Sequence, residues 1–129
     1  MSAIVFAAGV LPDRAATLEL RGRKSGRLIS FPIAIADHDG ERYLVAMLGD
    51  RTNWVRNVRA GDGRAVLRHG RREEIRLIEE TTGRRAAILR RFLQVAPGAR
   101  PHFPIDRHAG QADFERIADR YPVFRITPA

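Results

Sequence analysis

The stretch TLELRGRKSGRLISFPIAIADHDGERYLVAML, Thr17 to Leu48, decides the fold. Leu18 and Leu20 alternate with Glu19 and Arg21, the period of a half-buried strand over Thr17 to Arg21. Leu28 to Ala36 reads as a second, more buried strand. Its internal Pro32 cannot donate to a ladder, which places the strand at an edge or gives it a bulge. Asp39-Gly40 lies between two apolar runs, a strong hairpin signal, and Tyr43 to Leu48 returns. Three strands linked as a meander are expected.

Between the first two strands sits GRKSGRL, Gly22 to Leu28, with Arg23, Lys24 and Arg27 around a Ser-Gly pair. Such a turn is either solvated or an anion site. In the second case the backbone N–H groups of Ser25 and Gly26, a serine hydroxyl and three cations would converge on a phosphate or carboxylate.

Outward from this region, Thr52 is a candidate N-cap for a short helix through Arg59, which sets Trp54 and Asn57 one turn apart. Arg64 to Arg68 and Glu73 to Glu79 form a hairpin across His69-Gly70. The period then changes: Arg84 to Val95 and Gln111 to Arg120 are amphipathic helices. The basic residues Arg84, Arg85, Arg90 and Arg91 are expected on the solvated face of the first of these. Residues 97–110 are a Pro- and Gly-punctuated loop, and Val123 to Ile126 is a last strand. The order β-β-β-α-β-β-α-α-β is dominated by hairpins, so the expected class is mainly β, an antiparallel sheet or barrel with appended helices. The 129 residues suit one domain, 1–129, with residues 1–16 as an N-terminal arm.

Composition narrows the chemistry. The chain has no cysteine, which removes disulfides and thiol catalysis and suits a reducing cytoplasm. A net charge of +8 favours anionic partners. Few aromatics are interleaved with the arginines, against a nucleic-acid stacking surface. The apolar run Ala3 to Leu11 is too short to span a bilayer and lacks the basic start of a signal peptide. Peripheral membrane contact stays open.

No GxSxG elbow, HExxH spacing, Walker loop or dinucleotide fingerprint occurs. His102, Asp106 and His108 form a weak metal candidate set against a plain loop, and no metal is expected. Glu73-Glu74 and Glu79-Glu80 are adjacent on strands and are read as solvated charges, not acid/base pairs. Catalysis, where present, would rest on a cofactor that the protein positions.

LRGRKSGRLISFP (Leu20 to Pro32), the hairpin after it, and NWVRNVRA (Asn53 to Ala60) resemble the deazaflavin-dependent nitroreductase family. APGARPHFPI (Ala96 to Ile105) and ADRYPVFRI (Ala118 to Ile126) resemble actinobacterial members, so the likeness runs from about Leu11 to the C-terminus. The resemblance implies a split β-barrel binding coenzyme F420, whose ribityl chain continues into a phosphate, a lactyl group and an acidic oligoglutamate tail. It assigns tail binding to Arg23, Lys24, Ser25 and Gly26, with Arg27 added, and sets Pro32, Trp54 and Asn57 near the ring. It implies a hydride transfer from reduced F420 to a small-molecule electron acceptor: a quinone, nitro compound or activated alkene.

Duller readings stand beside these: Trp54 as core, Asn57 as a backbone partner, Pro32 as an edge marker. Relatives often carry a lysine after the third strand, where this chain has Met47-Leu48-Gly49; backbone groups near Gly49 are left as the tail contact. Tyr121, His102 and Phe103 are candidates near the substrate, with a hydroxyl or imidazole as proton donor. The alternatives are FMN or another ligand in the same barrel, a non-catalytic cofactor carrier, or a basic nucleic-acid module. Split barrels often dimerise, so a homodimer is an open expectation.

Overall fold

The computed structural model describes residues 14–129. The N-terminal apolar run, and most of the expected N-terminal arm, lie outside them. Seven strands form one antiparallel sheet: β1 (Ala15–Arg21), β2 (Leu28–Ala34), β3 (Ala36–His38), β4 (Glu41–Val45), β5 (Arg64–Arg68), β6 (Arg72–Glu79) and β7 (Val123–Pro128). Their order in the sheet is β2-β1-β5-β6-β7-β4-β3. Among the described residues three α-helices are added: α1 (Asn53–Ala60), α2 (Thr82–Val95) and α3 (Gln111–Ile117).

The two edge strands, β2 and β3, are neighbours in the chain, separated only by Ile35. A sheet whose first and last strands are joined by one residue must curl on itself, which makes this a split barrel. The expected second strand, Leu28 to Ala36, is therefore divided. Ile35 leaves the ladder and donates its N–H to the carbonyl of Arg14, 2.8 Å away. The expected three-strand meander is corrected in the same way: β1–β2 and β3–β4 are hairpins at opposite ends of the sheet. Pro32 lies opposite Thr17 on the edge strand β2, where a missing donor is tolerated.

The β3–β4 turn has φ of 49° at Asp39 and 79° at Gly40, the left-handed pair that a tight hairpin requires. Strand alternation builds two apolar clusters. Leu18, Leu44, Leu67, Ile75 and Phe124 fill the barrel together with Val55 and Val58 of α1. Tyr43, Val45 and Val123 face the other way, onto Leu89, Phe92 and Leu93 of α2 and Phe114 of α3.

Three further expectations change. Residues 97–102 of the expected loop form a 3-10 helix, Pro97–His102, pinned by buried Ala99 and followed by buried Phe103. α3 stops at Ile117 and continues as a 3-10 turn, Ala118–Arg120. The charges expected in solvent are in part buried. Arg85 and Glu80 are 7% and 8% exposed. Arg85 donates to the carbonyls of Glu80 and Ala118 and to Glu79, and Arg125 donates to Glu80. Charges at such depth persist because they are paired. Arg91 also leaves the solvated face, bonding Asp37 on β3.

Candidate functional site

A cavity of about 270 Å³ opens where β2, the segment after β4, α1, α2 and the 3-10 helix meet. Phe31, Pro32, Ile33 and Ala34 form one wall, Met47, Leu48, Thr52 and Trp54 another, and Phe92, Ala96 and Ala99 the back. Its surface is apolar, with aromatic faces from Trp54 and Phe31, whose ring centroids are 6.1 Å apart. Trp54 is further steadied by Phe124, 5.4 Å away in the barrel. Trp54 is thus both a core contact and a cavity wall.

The basic turn lies at the other end of β2. Four residue steps of extended chain lead from Arg27 to Phe31, about 13 Å. The turn is folded by its own backbone: Gly22 N–H donates to Arg27 O at 2.8 Å and Gly26 N–H to Gly22 O at 3.0 Å. Gly26 has φ of 71°, a conformation that glycine adopts without strain. The Gly26 N–H is therefore spent inside the turn. The Ser25 hydroxyl accepts from the Arg27 N–H at 3.1 Å, which leaves its own proton to give.

Asn57, buried on α1, holds this turn in place. Its Oδ1 accepts from the Arg23 backbone N–H and from the Arg23 guanidinium. One helical turn earlier on α1 stands Trp54, so a single short helix carries the cavity wall and the clamp of the basic turn.

Many arginines are ion-paired, among them Arg42 with Glu73, Arg59 with Asp50 and Glu79, Arg68 with Glu19 and Arg91 with Asp37, whereas Arg51, Arg56, Arg71, Arg90 and Arg120 are exposed single charges at separate places in the chain. Among the described residues no carboxylate pairs with Arg23, Lys24 or Arg27, all of them exposed. The unbalanced positive charge of the chain is thus concentrated in part on one turn, next to an apolar cavity.

The remaining candidates fall elsewhere. Gly49 does not line the cavity; its N–H donates to Ala46 O, and its carbonyl accepts from the N–H and hydroxyl of Thr52. Its φ of 96° shapes the loop into α1. Thr52 occupies the N-cap position, yet its hydroxyl is directed to Gly49 and caps nothing. Tyr121, His102 and Phe103 come together, but behind the cavity. Tyr121 stacks on Phe103 at 4.2 Å and its hydroxyl donates to His102 O at 3.3 Å, while Phe103 packs on Phe92 at 6.2 Å. Among the lining residues, Val45 and Phe92 are ordinary apolar residues with no motif to mark them, while Met47, Leu48, Ala96 and Ala99 lie in stretches the sequence singled out without giving them a place in a cavity. Among the described residues no group of three or more His, Asp or Glu could hold a metal ion.

A split barrel with an apolar cavity at its seam and a cationic turn one strand-length away is a ligand-binding member of the split-barrel class. A family model described as F420H(2)-dependent quinone reductase matches residues 8–99, and the chain belongs to that family. It is a deazaflavin-dependent reductase, with coenzyme F420 as its cofactor. The C-terminal part of the resemblance read from the sequence, ADRYPVFRI, lies beyond the matched region. No curated protein matches the sequence.

Among solved structures, an F420-H2 dependent reductase (FDR-A) is similar with a TM-score of 0.57 at 21% identity, over 91% of this chain and 96% of that one. A protein of unknown function from Agrobacterium tumefaciens str. C58, Atu2129, is similar at 0.66 and 16% identity, over 98% of this chain and 54% of that one. The chain thus spans about half the length of the Agrobacterium protein. A structure described as a domain-swapped dimer is similar at 0.60 and 18% identity, over 90% of this chain and 81% of that one. At these identities the likeness shows the fold.

Proposed function

We propose that the chain reduces an electron-poor small molecule, a quinone, nitro compound or activated alkene, at the apolar cavity, with the cofactor's acidic tail held on the basic turn. The observation that carries this is the set of unpaired cations, Arg23, Lys24 and Arg27, placed about 13 Å along β2 from the cavity wall. A cofactor with a flat apolar head and an anionic chain needs both features, and the residues present suit it in chemistry.

Arg23, Lys24 and Arg27 would hold phosphate and carboxylate oxygens by charge-assisted hydrogen bonds, and the Ser25 hydroxyl would add a donor. Trp54, Phe31 and Pro32 would orient the head. Ile33, Ala34, Phe92 and Ala96 exclude water from the inner end. When bound, the deazaflavin supplies a hydride. The protein's contribution to rate is then orientation and a dry, preorganised site, with no side-chain nucleophile required.

The test is a fluorescence titration with F420 at two salt concentrations, with FMN and a short oligonucleotide alongside. Tight binding of the deazaflavin alone, weakened by salt and by the pair Arg23→Ala and Lys24→Ala, is expected. Equal affinity of that double variant would remove the turn from the site.

A further inference from the structure

We infer that the groove beside the basic turn is a second anion site, independent of the cofactor reading above. In it Arg21 and Arg64 hold one carboxylate or phosphate group, and the Asn57 amide donates to the same molecule.

The groove exists because a ladder stops. β1 and β5 pair from Thr17 opposite Arg68 to Glu19 opposite Val66, yet β1 runs on to Arg21 and β5 begins at Arg64. Between these strand ends, and bordered by the Gly61-Asp62-Gly63 turn that follows α1, lies a space of about 520 Å³. Arg21 leads directly into the basic turn, and Leu28, on the far side of that turn, also lines the space.

Two features ask for an anion there. The first is a rank of like charges. Arg64 stands opposite Arg76 in the β5–β6 ladder, and the β1–β5 register, continued by two residues, sets Arg21 level with Arg64. Like charges directly opposite repel, and an anion between two of them replaces that repulsion with charge-assisted hydrogen bonds. Among the described residues one carboxylate serves the rank: Asp62 lies 3.1 Å from Arg64 and 3.5 Å from Arg76. Arg21 has no carboxylate partner among them and gives its hydrogen bond to Gly26 O at 2.8 Å. Arg76 Nε, buried, donates to no described residue. The other acids of the groove are already matched, Glu19 by Arg68 at 2.6 Å and Glu74 by Arg72 at 3.0 Å.

The second feature is Asn57, which lines the groove and is only 8% exposed. Its Oδ1 is taken by Arg23, which leaves Nδ2 as a donor without a partner among the described residues. A buried amide donor left unmade is costly, and an acceptor oxygen of a molecule in the groove satisfies it. The oxygen of Asn57 thus fixes the basic turn while its nitrogen serves the groove beside it. The occupant that fits carries an anionic group with a neutral acceptor close by, as a phosphate ester or a peptide-linked carboxylate does. Two sources supply that chemistry: the outer end of an acidic chain anchored on the basic turn, or a separate small anion.

The experiment starts from the double variant Lys24→Ala and Arg27→Ala, in which the basic turn is weakened, as ¹⁵N-labelled, cofactor-free protein. A γ-linked triglutamate and pyrophosphate are titrated in separately while amide shifts are followed. Saturable shifts at the Asn57 side-chain NH₂, Gly61 and Ala65 are expected. The dissociation constant of the tighter anion should rise about tenfold with Arg64→Gln and stay unchanged with Arg90→Ala, an exposed charge on α2. Arg64→Gln relieves a repulsion, so its melting temperature should stay within about 2 °C; where it fails to fold, Arg76→Gln takes its place. Shifts confined to residues 22–27, or equal affinity in Arg64→Gln, would overturn the site. F420 with a single glutamyl residue and with a longer tail then separates the sources in otherwise unaltered protein. Tighter binding of the longer form, lost in Arg64→Gln, makes the occupant the outer end of the chain on the turn; equal affinities, with the pyrophosphate shifts retained, make it a separate anion. Protein that takes up the free anions but not F420 would overturn the cofactor reading and leave the groove site standing.

Discussion

The side-chain oxygen of Asn57 accepts two hydrogen bonds from one residue, Arg23: from its backbone N–H at 3.0 Å and its guanidinium at 2.8 Å. Asn57 is therefore a positioning residue, fixing a cationic turn to the helix that also bears Trp54. Replacing it with leucine removes both bonds and should cost about 1–3 kcal/mol of stability, with weaker F420 binding. Asn57→Asp separates the effects. The carboxylate keeps Arg23 in place, so stability should stay within about 1 kcal/mol, while the added negative charge repels the tail. Denaturant melts and F420 titrations of both variants check this; undiminished affinity in Asn57→Asp would mean that Arg23 does not face the anion.

Lys24→Ala and Arg27→Ala should each raise the F420 dissociation constant about tenfold while leaving the melting temperature within about 2 °C. Both side chains are exposed and support no other contact by charge. The salt dependence of binding should shrink with each charge removed, since screening acts on what remains. Titrations at several salt concentrations read the slope directly.

Glu73 carries the clearest pH signature. Its hydrogen bonds from Arg42, 2.6 and 3.0 Å long, and its contact with His69 hold its pKa down, from 4.5 to about 2. A carboxylate whose folded pKa is depressed stabilises the fold above its unfolded pKa, and that contribution fades as pH falls towards the folded value. Stability should therefore decline between about pH 4.5 and 2. Glu73→Gln should flatten the decline in acid-melting curves; an unaltered curve would assign the acid sensitivity to other carboxylates.

Two glycines with positive φ should respond differently to alanine. At Gly63, φ of 84° is combined with a Cβ that would lie 2.5 Å from the Leu77 carbonyl oxygen, so Gly63→Ala should cost about 3 kcal/mol or more. At Gly26 nothing lies within 4 Å, and only the backbone strain of about 1–2 kcal/mol applies. Equal losses in thermal melts would contradict the packing at Gly63.

Strand alternation around Leu18 and Leu20, the Asp39-Gly40 turn, the edge role of Pro32 and the family to which the chain belongs were all legible in the residues. The division at Ile35 was not. A nine-residue apolar run looks the same whether it pairs once or turns a corner, and the partner that draws off the Ile35 N–H, Arg14, is far away in the chain. The basic turn was legible because charge is visible in a sequence; its clamp was ambiguous, since an asparagine on a helix has many partners to choose from. The cavity walls were hidden for a simpler reason. Phe92, Ala96 and Ala99 are placed by how α2 and the 3-10 helix lie on the barrel, which local pattern does not encode. Glu79, Glu80 and Arg85 looked solvated because burial of charge depends on partners brought together from β6, α1, α2 and β7.

Three small side chains, Ala34, Ala96 and Ala99, are buried and also line the cavity. Each marks a place where one or two methyl groups could be added from inside the pocket. The scaffold that shapes the pocket and the space inside it are thus separable in inheritance. A lineage could narrow or reshape what the pocket admits by single-codon changes at these alanines, while the strands, the bend at Ile35 and the basic turn went on unaltered.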